Sequence, residues 1–154
     1  MQEQIDWYHN LGITAEKLKA QLGSDARDYY FDRFMKIARR VDEFATNCQH
    51  CREYQFRMDN MLEELSISAP YVLKEQKRAF LGSTNFILSH LKKSHGLISD
   101  GQNVGIWLAI GVAIGTALGT AFGNPAIGIP IGTGLGIVIG ITIDGKARKN
   151  GKII

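Results

Sequence analysis

Two short stretches hold the residue types that can do chemistry: Cys-Gln-His-Cys at residues 48–51 and His-Leu-Lys-Lys-Ser-His at residues 90–95. The two-residue gap between Cys48 and Cys51 is that of a zinc half-site, and His90 and His95, in a His-x4-His pattern, supply a second half. Four such ligands leave no open coordination position, so the expected cofactor is structural Zn2+ rather than a catalytic ion. Two other readings compete. One is a pair of buried, reduced thiols beside surface histidines; the other is redox chemistry at Cys-x-x-Cys, which lacks the βαβ context of the thioredoxin type. A lasting disulfide is not expected in a cytosolic domain. His50 and His9 are read as exposed.

The two halves of the site lie far apart in sequence, so the elements between them must bring them together. A helix rising over residues 48–65 and another descending over residues 71–93, joined by a turn at Ser-Ile-Ser-Ala-Pro, would place the cysteines beside the histidines. The metal would then staple an antiparallel hairpin spanning residues 46–96. Upstream, Thr14 is expected to cap a short helix over residues 15–22, and Gly23-Ser24 to stop it and cap the next. Tyr30, Phe34, Ala38, Val41 and Ala45 recur at helical spacing, widened by Phe31, Met35 and Phe44. No β pattern appears. Residues 1–99 therefore read as an all-α domain with a modest core.

The rest of the chain is different in kind. The mean hydropathy of -0.08 averages a charged front with a stretch, residues 101–143, that has no Asp, Glu, Lys, Arg or His. Residues 104–123 and 126–143 are each long enough to cross a bilayer as a helix, and Asn124-Pro125 between them is a turn. A strand reading is suggested by the alternating isoleucines, but an unpaired strand edge in lipid is prohibitive. Glycines recur every fourth residue: Gly111, Gly115, Gly119 and Gly123 in the first span, and Gly128, Gly132, Gly136 and Gly140 in the second. Such rows let helix backbones approach closely where no hydrophobic force drives association. Ala109, Ala113, Ala117 and Ala121 form a second smooth row on the first span, from which a homo-oligomer is expected. Thr116, Thr120 and Asn124 are the candidate lining of a polar path.

Lys92 and Lys93 precede the hairpin, residues 100–145, and Lys146, Arg148, Lys149 and Lys152 follow it in a basic tail, residues 146–154. The positive-inside rule then places both ends in the cytoplasm. Residues 1–6 lead into Trp7 and Tyr8 without the pattern of a signal peptide. The net charge of +3 is too small to argue for nucleic acid, and none is expected as a partner. Glu63, Glu64, Asp25, Asp28 and Asp32 read as solvated faces; with no catalytic triad and no phosphate loop, no enzyme is expected.

The glycine-rich run at residues 114–140 with its basic tail, preceded by Cys-x-x-Cys and by His90, Leu91, Lys93, His95, Gly96, Leu97 and Ile98, resembles the glycine-zipper membrane proteins of bacteria. The resemblance covers the back third of the chain and implies a location, the bacterial inner membrane, and a mode of packing, not a reaction. The expected function is a small homo-oligomeric integral membrane protein, a channel or pore regulated by its cytosolic helices. The alternative is a non-conducting anchor or adaptor whose cytosolic domain recruits a protein partner.

Overall fold

The computed structural model describes the backbone of residues 2–154 and the side chains from residue 7 onward; Met1 and the side chains of residues 2–6, over which no signal peptide is expected, lie outside the described residues. Six α-helices follow in order: α1 (Gln2–Leu22), α2 (Phe31–Ala45), α3 (Gln49–Ser68), α4 (Lys74–His95), α5 (Gln102–Ala121) and α6 (Pro125–Lys149). Among the described residues there is no strand, only an isolated bridge between Ile98 and Ile153. The chain divides into two compact units, Met1–His95 and Gly96–Ile154.

The first unit buries side chains in the ordinary way. Leu11, Ala15, Leu18 and Leu22 of α1 recur every three or four residues, and all are buried. That periodicity carries α1 straight through Thr14, whose hydroxyl donates to the Asn10 carbonyl inside the helix. The expected cap at Thr14 is therefore not one. A 3₁₀ segment (Gly23–Tyr29) follows, and Tyr30, at φ 52° and ψ 45°, turns the chain into α2. Tyr30 is consequently exposed rather than part of the core stripe, and Phe31 takes the inward place. Tyr29, Phe31, Phe34 and Phe80 form an aromatic cluster with ring centroids 5.2–6.0 Å apart. Phe34, Ile37, Ala38 and Val41 of α2 and Met58 and Leu62 of α3 are fully enclosed.

Helices α3 and α4 run antiparallel. Tyr54 on α3 packs edge-on against both Phe86 and His90 of α4, and Arg57, one turn further along α3, lies over Phe86. Rising along one helix thus means descending along the other. The start of α3 therefore meets the end of α4. The turn is tighter than the sequence suggests: Ser66 and Ser68 remain helical, each donating its hydroxyl to the carbonyl four residues back.

The second unit inverts this logic, because the seam between its two helices is backbone. Gly111, Gly115 and Gly119 on α5 and Gly132, Gly136 and Gly140 on α6 are buried, joined on these helices only by Asp144 near the end of α6, while Ile106, Ile114, Leu118, Ile131, Leu135, Val138 and Ile141 point outward. A Cβ on Gly128 would lie 2.8 Å from the Gly119 Cα, and one on Gly140 would lie 2.5 Å from the Val104 Cα. No side chain larger than hydrogen fits that seam. Pro125 opens α6 at a position that needs no donor, and α6 continues through Pro130.

Candidate functional site

Cys48, Cys51, His90 and His95 converge from the two ends that the antiparallel pairing brings together, and their ligand atoms all lie within 4.8 Å of one another. Cys48 immediately precedes α3 in extended conformation (φ -131°, ψ 113°), and Cys51 lies in the first turn, fully buried. His90 and His95 occupy the last turns of α4, and Gly96, at φ 64°, ends the helix just beyond.

Spacing tests whether a metal fits. Zn–S bonds of about 2.3 Å and Zn–N bonds of about 2.0–2.1 Å in a tetrahedron put sulfur and nitrogen about 3.5–3.6 Å apart along an edge. Cys48 Sγ lies 3.5 Å from His90 Nε2, and Cys51 Sγ lies 3.4 Å from His95 Nε2. The four residues lie close enough to bind a metal ion, and the two sulfur–nitrogen pairs stand at about the edge length of a Cys2His2 tetrahedron. The outer contacts suit the same role. His90 Nδ1 is 3.3 Å from the Ser94 hydroxyl, which orients the ring and leaves Nε2 toward the centre. The His95 ring stacks on Phe44 at 3.9 Å and 15°, so α2 fixes its plane.

Electrostatics follow from burial. Enclosure pushes the Cys51 thiol up to about 12, reinforced by its hydrogen bond with Cys48. Burial also holds His90 below the ordinary histidine range, with the neighbouring charges of His95 and His50 adding to it, and burial alone does so for His95. Burial thus favours the neutral imidazoles, the form that ligates a metal. A metal binding here must displace the Cys51 proton. His50 stands at the rim, its ring 5.4 Å from His90 and its side chain largely exposed.

In the second unit Gly111, Gly115 and Gly119 of α5 and Gly128, Gly132, Gly136 and Gly140 of α6 lie along the seam between the helices. Gly123 is not in the seam: α5 ends at Ala121, and Gly123 takes φ 76° in the turn, with open space where a Cβ would be. The three candidate polar-path residues are engaged locally. Thr116 and Thr120 donate to the carbonyls of Val112 and Thr116, and the Asn124 side chain accepts from the Ala126 amide as the cap of α6.

Sequence reasoning missed Asp144. Gly101, which precedes α5, has no side chain with which to cap it, and the Asp144 carboxylate of α6 does so instead. It accepts from the Asn103 and Val104 amides at 3.3 Å and from Asn103 Nδ2 at 2.8 Å. These are unpaired donors of the first turn of α5, at its positive end. The signal available was a lone acid directly after an otherwise uncharged run. Nearby, Arg148 pairs with Asp100 at 2.7 Å, and the backbone of Ile98 bonds to Lys152 and Ile154.

Both α5 and α6 are long and apolar enough to cross a membrane, and only 17% and 22% of their apolar windows are covered by the rest of the chain, unlike the enclosed core helix of a soluble protein. No curated protein and no solved structure matches the chain. Residues 98–146, the part built on the glycine seam, match the family described as glycine zipper membrane protein.

Proposed function

We propose that the chain is a non-conducting membrane anchor whose helical front domain, held by a structural zinc ion, serves as the docking module for a protein partner. The observation that carries this reading is the inside-out hairpin. Its seam is filled by backbone, its outer surface is aliphatic, and the hydroxyls that could have lined a path are bonded within their own helices. Such a pair satisfies its backbone polar groups internally and offers lipid the surface that lipid favours. The zinc assignment is supported by the sulfur–nitrogen edges. With four protein ligands the ion would have no open position, so its role would be structural rather than catalytic, in keeping with a non-enzymatic anchor. The basic residues flanking the hairpin support a bacterial inner-membrane location with both ends in the cytoplasm.

A second reading, self-association into an oligomer with channel activity, draws on Ala109, Ala113, Ala117 and Ala121, all exposed along α5. Particle mass and ion flux separate the two. The purified protein in detergent should hold about one zinc per chain. Reconstituted in vesicles, it should pass no ions. A conducting vesicle, together with a multi-subunit particle that Ala113→Leu dissociates, would overturn the anchor reading. A cysteine introduced at Asn124 should label from the periplasm; labelling from the cytosol alone would reverse the topology.

A further inference from the structure

The two cysteines of the candidate centre are not equivalent, and the difference has the form of a reactive pair. Cys48 sits ahead of α3, partly exposed and with its side chain bonded to no helix amide, whereas Cys51 is wholly enclosed one turn later. The Phe44 ring covers one face of His95, and of the two sulfur-bearing residues it is Cys48 that solvent reaches. Both sulfurs belong to a cluster with no ligand atom more than 4.8 Å from another. A disulfide of about 2.05 Å requires the two sulfurs to close a gap of less than about 3 Å.

We propose that Cys48 and Cys51 form an oxidant-sensitive pair whose conversion to a disulfide by a hydroperoxide expels the bound zinc. The proposal rests on the zinc reading above. In the first step the Cys48 thiolate attacks the peroxide: an S–O bond forms, the O–O bond breaks, and the alkoxide (or hydroxide) leaves and takes up a proton. The Cys51 thiolate then attacks the Cys48 sulfur; the S–S bond forms, the S–O bond breaks, and hydroxide leaves as water after taking up a second proton. The two thiolates lose two electrons in total, and the peroxide is reduced to an alcohol and water, or to two waters when the oxidant is hydrogen peroxide. Disulfide sulfurs are poor zinc donors, so the ion retains only His90 and His95 and dissociates. The link between the start of α3 and the end of α4 is then lost. A thiol reductant and fresh zinc restore it.

The test uses the full-length protein in detergent, treated with hydrogen peroxide after metal content has been measured under reducing conditions. Zinc released to a colorimetric chelator should appear in step with the loss of both thiols. Trypsin should yield one peptide, residues 41–52, that contains both cysteines and has lost a hydrogen pair in mass. In Cys51→Ser the disulfide cannot form, and a sulfenic acid at Cys48 should be trapped by dimedone. Should that variant not fold, dimedone capture at Cys48 early in the wild-type time course supplies the same information. Zinc that stays bound under excess peroxide, or leaves while the thiols remain free, overturns the redox proposal and leaves the metal site standing. Reduced protein that binds no zinc overturns both.

Discussion

Placing a single methyl group in the glycine seam should separate the two apolar helices, and Gly132→Ala is the sharpest case. The added Cβ would lie 2.8 Å from the Gly115 Cα and 2.9 Å from its nitrogen, and closer still to the Gly111 carbonyl oxygen, where ordinary contact begins at 3.4 Å. All three obstacles are backbone, so no side chain can swing away. The helices must move apart by about 0.6 Å or more, a gap that forfeits roughly a quarter to a half of each van der Waals contact nearby. With on the order of 20 close atom pairs at about 0.15 kcal/mol each, the loss is about 1 kcal/mol, and residual strain brings it to about 1–3 kcal/mol. Gly134→Ala is the control, because its Cβ meets nothing within 4 Å. Trp107 lies across the seam from Gly136 and reports on helix separation once Trp7 is replaced by Phe, since the chain has two tryptophans. Titration from mild detergent into SDS, followed by Trp107 fluorescence, should show Gly132→Ala opening at a clearly lower SDS fraction than wild type and Gly134→Ala opening with it. Coincident curves for the two variants would refute the backbone seam.

Asp144→Ala should open the same hairpin by about 1–2 kcal/mol in that assay, the usual loss of a helix cap, and Asp144→Asn, which keeps an acceptor, by less. Chelating zinc should lower the melting temperature of the helical front domain, by the equivalent of about 4 kcal/mol where free zinc had stood about a thousandfold above its Kd; an unchanged melt would deny the staple. Burial holds the Asp42 carboxyl above its ordinary range, opposed only in part by the hydrogen bond from Gln55. The folded chain thus grips that proton more tightly than the unfolded one, a stabilisation present below about pH 3.9 and lost as pH rises through the folded value. Asp42→Asn should therefore raise the melting temperature at neutral pH, and a pH series of melts should show the gain vanishing in acid.

The features legible in the sequence are those in which one residue type at one spacing permits a single arrangement. A glycine every fourth position has little use except close approach, and two cysteines followed by two histidines across a helical hairpin have few ways to meet. What escaped depends on partners remote in sequence. Asp144 appears as the first charge after an apolar run, and its task is visible only once Asn103 and Val104 stand beside it. Thr14 shows why local capping preference misleads: the hydroxyl that could cap a helix also satisfies itself on a carbonyl within one, and the buried series Leu11, Ala15 and Leu18 decides between them. Tyr30 fell outside the core because it takes the left-handed turn between the 3₁₀ segment and α2 rather than a place in the helix, while Phe34, Ala38, Val41 and Ala45 keep the expected phase.

The interleaved glycines also make the alignment of the apolar helices discrete. Sliding one past the other by a single residue would drive an isoleucine or valine against bare backbone, and only a displacement of four residues, about 6 Å, would again set glycine against glycine. The tight turn at residues 122–124 has no slack for such a step, and the carboxylate at the far end would miss its amides if it occurred. The pair therefore behaves as a ratchet held on one tooth, unable to creep gradually under load.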